Sequence, residues 1–138
     1  MLGRIDHVGY LVRDLEASLE DVTERLDLEV VRRFERPQFE LAGVYLGADG
    51  GNVELFTFTD PSLTESRLAG RELLLDHVAH EVQDIAAVAS SLRAGGTRFT
   101  GPDQRGELTQ AVDLGGVLHL WTMPETCGGL SLQLMQRL

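Results

Sequence analysis

Hydrophobic and polar positions along the chain repeat at about half its length. Residues 5–17 read IDHVGYLVRDLEA, and residues 75–87 read LDHVAHEVQDIAA. Each stretch opens with an apolar run typical of a β-strand and continues with apolar residues at helical spacing. Between these two parts stands an aspartate, Asp14 or Asp84, whose side chain is suited to cap the first turn of a helix. A strand followed by a helix is therefore predicted at the start of both halves.

Three further apolar runs follow each predicted helix. They are residues 28–34, 41–47 and 52–58 in the first half, and residues 97–100, 117–122 and 130–136 in the second. Each half therefore predicts a βαβββ module, and self-similarity at this scale indicates a duplicated unit. We expect one α+β domain made of module 1 (1–58), a linker (59–74) with a short helix, and module 2 (75–138). The two modules are expected to form a curved mixed sheet of eight strands around a central cleft.

Composition narrows the classes of partner and chemistry. A formal net charge of -10 over 138 residues argues against nucleic acid or an anionic membrane as partner. No apolar run approaches the roughly 18 residues that a membrane-spanning helix needs. All 12 basic residues are arginine, so no lysine is present to serve as a base or to form a Schiff base. With one cysteine and no secretory signal pattern, we expect a cytoplasmic protein without an internal disulfide.

Each half also places a histidine in its first strand, directly after an aspartate. Because His7 and His77 occupy equivalent positions of a duplicated module, a shared role such as metal ligation is favoured over two unrelated core histidines. Side chains alternate between the faces of a strand, so His80 is predicted to point away from the face of His77. His119 has no counterpart in the repeat. It is interpreted either as a residue that lines a pocket or as a hydrogen-bonded strand residue.

These patterns together resemble a known family. A tandem βαβββ chain with Asp-His-Val at the start of both halves resembles the vicinal oxygen chelate superfamily of glyoxalases, extradiol dioxygenases and related binding proteins. Within it, the chain most resembles the methylmalonyl-CoA epimerase branch. The stretches that carry the resemblance are IDHVGYLVRDLEASL, NVELF, LDHVAHEVQDIAA and GGVLHLWTMPETCGGLSLQL. The resemblance spans nearly the whole chain and implies a homodimer, as formed by many relatives.

The resemblance also implies a set of four metal ligands. His7 and Glu54 would come from module 1, and His77 and Gln133 from module 2, where the family usually has glutamate in place of Gln133. Imidazole, carboxylate and amide oxygen together suit a divalent ion such as Zn, Ni, Co or Mn. An ion held in this way leaves positions for two substrate oxygens and stabilises an enolate as a Lewis acid.

The chain departs from the epimerase pattern in its proton-transferring groups. That chemistry uses two carboxylates, one on each face of the planar enolate. One of them aligns with Gln133, whose amide cannot carry a proton. The other falls near residues 36–37, where Glu35 and Glu40 are close in sequence without a clean match. The sequence therefore predicts a single catalytic carboxylate, with Glu54 as the leading candidate.

A thioester of coenzyme A would also require cationic groups for its phosphates. In this acidic chain the nearest candidate is the group Arg32, Arg33 and Arg36, which precedes the third predicted strand.

Three classes of function stay open at this point. The first is a metal-dependent isomerase or lyase of glyoxalase or epimerase type, acting on a small carbonyl or thioester substrate. The second is an extradiol-type dioxygenase, since two histidines and Glu54 supply the donor types of an iron triad. Such enzymes take their third ligand from the last strand, however, where Gln133 stands. The third is a metal-free binding protein for antibiotic-type small molecules, which has no need of both histidines.

Overall fold

The fold was analysed in a computed structural model that describes residues 1–48 and 50–138. Its described residues form three α-helices, α1 (Leu15–Leu26), α2 (Pro61–Leu68) and α3 (Ile85–Ala94). They also form nine strands: β1 (Ile5–Val12), β2 (Val30–Arg36), β3 (Leu41–Leu46), β4 (Val53–Phe58), β5 (Leu73–Glu81), β6 (Phe99–Thr100), β7 (Val112–Asp113), β8 (Val117–Thr122) and β9 (Leu132–Arg137). Parallel and antiparallel strand pairs both occur, so the predicted α+β fold with a mixed sheet is confirmed.

The helices begin where the sequence predicts. Asp14 Oδ1 accepts a hydrogen bond from the backbone N–H of Ala17 at 3.1 Å, which satisfies a donor of the first turn of α1. Asp84 does the same for α3 at 2.9 Å. The strand predicted from residue 28 begins two residues later, at Val30. The later start has a local cause: Asp27 ends α1 in the left-handed conformation, with φ of 52°, so the chain must change conformation after the helix before the extended strand begins.

The chain divides into two compact units, residues 7–76 and residues 1–6 with 77–138. In the first unit the strands lie in the order β2-β3-β4-β1, and only the β4–β1 pair is parallel. In the second unit the order is β5-β9-β8-β6, and only the β5–β9 pair is parallel. Each unit thus joins its first strand to its last strand in parallel. The module boundaries drawn from the sequence stay a prediction.

Apolar side chains gather between the strands and α1 in the first unit, and between the strands and α3 in the second. In the first unit Leu19 of α1 packs with Leu55 and its neighbours, and in the second Ile85 of α3 packs with Leu120 and Leu134. Strand neighbours alternate between faces, so the residues beside these leucines point to the opposite face. That second face carries the polar residues singled out in the sequence.

The segment 101–116 contributes a strand that the sequence pattern does not predict. Its β7 pairs with β8, with Val112 opposite His119, so the described residues form nine strands rather than eight. Arg93 of α3 holds the segment by donating hydrogen bonds to the backbone oxygens of Leu108 and Thr109, at 3.3 and 2.9 Å. The segment 101–116 is therefore held against α3 and β8 of its own unit.

Each aspartate that precedes one of the paired histidines binds an arginine. Asp6 accepts from Arg137 at 2.7 Å, and Asp76 accepts from Arg67. The second pair is the more buried, with side-chain exposures of 4% for Asp76 and 12% for Arg67. A buried carboxylate is costly unless a cation compensates it, so this ion pair stabilises the strand that leads into His77.

The Arg67→Ala variant tests this role. Loss of the guanidinium beside the buried carboxylate is expected to lower the free energy of unfolding by roughly 3 kcal/mol, measured by urea denaturation. Arg25→Ala serves as the control, because Arg25 pairs with Asp21 at an exposed site on α1. It is expected to cost less than about 1 kcal/mol. Equal losses in the two variants would show that the buried pair has no special role.

Candidate functional site

His7 and Glu54 are brought together by the parallel pairing of β1 with β4. Gly9 lies opposite Glu54 in this register, and His7 is two residues before Gly9, so both side chains point to the same face. Nε2 of His7 is 3.6 Å from Oε2 of Glu54. His7 is fully buried and Glu54 is 6% exposed. A carboxylate and an imidazole are therefore held side by side out of water.

Tyr45 supports this pair from the next strand. It lies opposite Glu54 in the β3–β4 register, with its hydroxyl near the Glu54 carboxylate. Its ring meets the imidazole of His7 edge to face, with centroids 5.2 Å apart. Burial, and then the charge of Glu54, raise the pKa of Tyr45 far above its usual range. Tyr45 was not predicted as a site residue, because its place beside Glu54 depends on the register between β3 and β4.

The three arginines of the predicted cationic group point in two directions. Arg33 forms a two-pronged ion pair with Glu16 of α1, at 2.6 and 3.1 Å. Arg32 and Arg36 instead lie over aromatic rings, 5.1 Å from the centroid of Tyr45 and 4.9 Å from that of Phe34. Alternation along β2 places these two arginines on the face opposite to that of Arg33. Neither pairs with a carboxylate among the residues that the structure describes.

His77 and Gln133 are related in the second unit as His7 and Glu54 are in the first. Ala79 lies opposite Gln133 in the parallel β5–β9 pair, and His77 is two residues before Ala79. Both side chains therefore point to one face. They are buried, with exposures of 4% for His77 and 3% for Gln133. A small residue, Gly9 or Ala79, stands opposite the second polar side chain in each unit.

Gln133 has one partner on this face. Its Nε2 donates a hydrogen bond to Nδ1 of His119 at 2.8 Å, and the His119 ring stacks on Trp121 with centroids 5.6 Å apart. Oε1 of Gln133 is also buried, and no group among the described residues donates a hydrogen bond to it. Of the two interpretations offered for His119, the hydrogen-bonded strand residue agrees with the structure.

Three of the four predicted ligands form a compact group. His7, Glu54 and His77 each offer one ligand atom, and these atoms lie within 4.8 Å of one another. Two imidazoles and a carboxylate suit a first-row divalent ion, and the buried, unpaired Oε1 of Gln133 is a further oxygen of suitable type. These residues therefore fit a divalent metal. His80 stands apart, as its parity predicts, and its Nδ1 bonds to the backbone oxygen of Gly3 at 3.1 Å.

Comparison with known families assigns the chain. The model of the Glyoxalase/Bleomycin resistance protein/Dioxygenase superfamily matches residues 4–129. The chain belongs to this superfamily. Because the match runs through both halves, it covers both strands that carry the paired histidines as well as Glu54, and it ends before Gln133.

Individual members of the superfamily resemble the chain along most of its length. An ethylmalonyl-CoA/methylmalonyl-CoA epimerase of Cereibacter sphaeroides is 27% identical over 106 residues, which are 73% of this chain and 77% of that protein. The crystal structure of methylmalonyl-CoA epimerase from Mycobacterium tuberculosis superposes with a TM-score of 0.80 at 22% identity, over 97% of this chain and 87% of that one.

A Streptomyces coelicolor methylmalonyl-CoA epimerase variant in complex with 2-nitronate-propionyl-CoA gives a TM-score of 0.79 at 22% identity, over 99% of both chains. At this identity the structural matches concern the fold alone. The resemblance to the superfamily and to its epimerase branch, predicted from the sequence, is confirmed.

The buried Tyr45 hydroxyl predicts a specific pH dependence of stability. The pKa of Tyr45 is raised in the folded state. The contribution of its protonated hydroxyl to the free energy of unfolding is therefore fully present below about pH 10 and is lost as the pH rises above that value. The absence of lysine leaves few other groups that titrate in this range. Relative to Tyr45→Phe, the free energy of unfolding of the unmodified protein should fall by up to about 1.4 kcal/mol per pH unit above pH 10.

Denaturation with urea at several pH values measures this difference. Tyr10→Phe is the matched control, and it should keep the steep decline because it leaves Tyr45 in place. If Tyr45→Phe declines as steeply as the unmodified protein, the hydroxyl is not held as described.

Proposed function

We propose that the protein is a metal-dependent isomerase or lyase that stabilises the enolate of a small carbonyl or acyl-thioester substrate. The observation that carries this proposal is the buried group of His7, Glu54 and His77, whose ligand atoms lie within 4.8 Å of one another. A divalent ion bound by such residues supplies a Lewis acid for a carbonyl or enolate oxygen. A thioester substrate is supported by the similar chains from other organisms, which are named as epimerases of CoA thioesters.

In this proposal the protein supplies four ligands to an ion such as Zn, Ni, Co or Mn. His7 and His77 offer neutral imidazoles, Glu54 a carboxylate and Gln133 its amide oxygen. The support for Gln133 is that its buried Oε1 accepts no hydrogen bond from the described residues. Such an oxygen is costly to bury unless a cation or donor approaches it.

Proton transfer is assigned to a single carboxylate. Glu54 is the one acidic group among the four proposed ligands, and the Tyr45 hydroxyl lies near its carboxylate. The amide of Gln133 neither accepts nor releases a proton. One base that removes a proton and returns it on the same face of an enolate performs a proton shift without inversion. A glyoxalase-type isomerisation is therefore favoured over epimerisation by two bases.

The arginines of β2 favour a substrate that carries negative charge. Arg32 and Arg36 lie on the face of β2 whose neighbours across the strands are Tyr45 and then Glu54. Their guanidinium groups have no carboxylate partner among the described residues, in a chain whose net charge is -10. Guanidinium groups in this position suit a carboxylate or phosphate of the substrate.

An extradiol-type dioxygenase is the second candidate. The same three donors, His7, His77 and Glu54, also match the two-histidine, one-carboxylate set of non-haem iron oxygenases. Oxygen consumption with a catechol after loading with Fe²⁺ distinguishes this candidate from an isomerase.

The remaining expectations concern assembly and location. No described helix has the length and apolar character needed to cross a membrane. The homodimer and the cytoplasmic location stay predictions.

Metal content tests the proposed ligands. His7→Ala and His77→Ala should each abolish stoichiometric binding, because each removes one of only four protein donors, as measured by elemental analysis of protein purified without chelator. His80→Ala is the control and should retain the metal, since His80 bonds to Gly3 instead. Circular dichroism checks that all variants are folded. Equal metal content in His77→Ala and His80→Ala would refute the assignment, and metal-free unmodified protein would favour the binding-protein class.

Deuterium uptake from heavy water tests the proposed base. Substrates for the assay are methylmalonyl-CoA, other acyl-CoA thioesters and hemithioacetals of 2-oxoaldehydes. Glu54→Gln should slow exchange by about 10² to 10⁴, as expected for loss of a general base. Gln133→Ala should cost much less, because an amide oxygen is a weak metal donor that water can replace. A Glu54→Gln protein that keeps full activity would place the base elsewhere.

A further inference from the structure

The orientation of the Gln133 amide decides which of its atoms is available to a ligand. An amide has an oxygen that accepts and a nitrogen that only donates, and only the oxygen can bind a cation. In the structure Nε2 is occupied by His119 at 2.8 Å, whereas Oε1 is buried and receives no hydrogen bond from the described residues. The unoccupied atom is thus the one that a metal requires.

The partner of the amide fixes this choice. Because Nε2 of Gln133 can only donate, Nδ1 of His119 must accept, and the ring proton of the neutral imidazole lies on Nε2. His119 is itself buried, at 4% exposure, and its ring lies nearly parallel to Trp121, with an interplanar angle of 12°. Trp121 is directly opposite Gln133 in the β8–β9 register. The imidazole is therefore held in place by packing before any ligand arrives.

We propose that His119 is a positioning residue that accepts the hydrogen bond of the Gln133 amide and so presents Oε1 as the fourth, neutral metal ligand. This inference rests on the proposed metal centre and extends it to a residue that does not bind the metal. A hydrogen bond from a second residue commonly orients a metal ligand in this way.

The pair also accounts for an amide at position 133 in place of a carboxylate. A carboxylate has no proton to donate to an accepting Nδ1, so it would force the imidazole into its other tautomer. His119 and Gln133 therefore form a matched donor and acceptor. A neutral fourth ligand also leaves Glu54 as the one negatively charged donor, so a bound divalent ion keeps a net positive charge for an enolate oxygen.

Cobalt binding tests the role of His119. His119→Phe keeps a flat ring beside Trp121 but removes the acceptor, and it should weaken Co²⁺ affinity in calorimetry by about 10- to 100-fold and change the visible spectrum of the bound ion. His119→Asn, whose Oδ1 can accept at the place of Nδ1, should restore affinity to within about threefold of the unmodified protein. In the Gln133→Ala background, His119→Phe should have no further effect.

A second measurement uses the unmodified protein without metal. Nuclear magnetic resonance of ¹⁵N-labelled protein should place the His119 proton on Nε2 and show slow exchange of the Gln133 amide protons. A proton on Nδ1 would overturn the inference whatever the variants do.

The outcomes separate the two proposals. Unmodified protein that binds Co²⁺ while His119→Phe binds it equally well overturns the role of His119 and leaves the metal centre intact. Unmodified protein that binds no Co²⁺ overturns the metal centre and, with it, this inference.

Discussion

The parallel pairing of the first strand of each unit with its last strand is the constraint on which the polar face depends. In β1–β4 this pairing sets Gly9 opposite Glu54, and in β5–β9 it sets Ala79 opposite Gln133. Side chains two residues apart in a strand share a face. His7 therefore points to the same face as Glu54, and His77 to the same face as Gln133. A slip of one residue in either strand would turn the polar side chain into the apolar cluster beneath the helix.

The polar face is stabilised by neighbours one strand further out. Tyr45 on β3 places its hydroxyl near the Glu54 carboxylate, and His119 on β8 accepts a hydrogen bond from Gln133. Polar groups buried this deeply are costly without polar partners, so these neighbours contribute to both stability and orientation. In each unit the group that receives such a neighbour bears a side-chain oxygen, the carboxylate of Glu54 or the amide of Gln133. This is the pre-organisation that a metal-assisted reaction requires of its protein ligands.

Much of this arrangement could be predicted from the sequence, because duplication makes local patterns reinforce one another. The Asp14 and Asp84 caps, the strand around each histidine and the opposite parity of His80 follow from residue type and spacing. The partners of Glu54 and Gln133 could not be predicted, because a cross-strand neighbour depends on register rather than on spacing along the chain. The burial of Glu54 does not follow from alternation either, since a polar residue between two apolar ones in a strand is typically exposed, whereas both faces of β4 are covered and the carboxylate is buried.

The central claim is that His7, Glu54, His77 and Gln133 bind one divalent ion, and crystallography of the cobalt- or zinc-loaded protein tests it most directly. The account predicts a single anomalous peak per chain on the polar face, at about 2.0 to 2.2 Å from an imidazole nitrogen of each histidine and from a Glu54 oxygen, with Gln133 coordinated through Oε1. A peak elsewhere, coordination through other residues, or no bound metal at millimolar concentration would contradict the account.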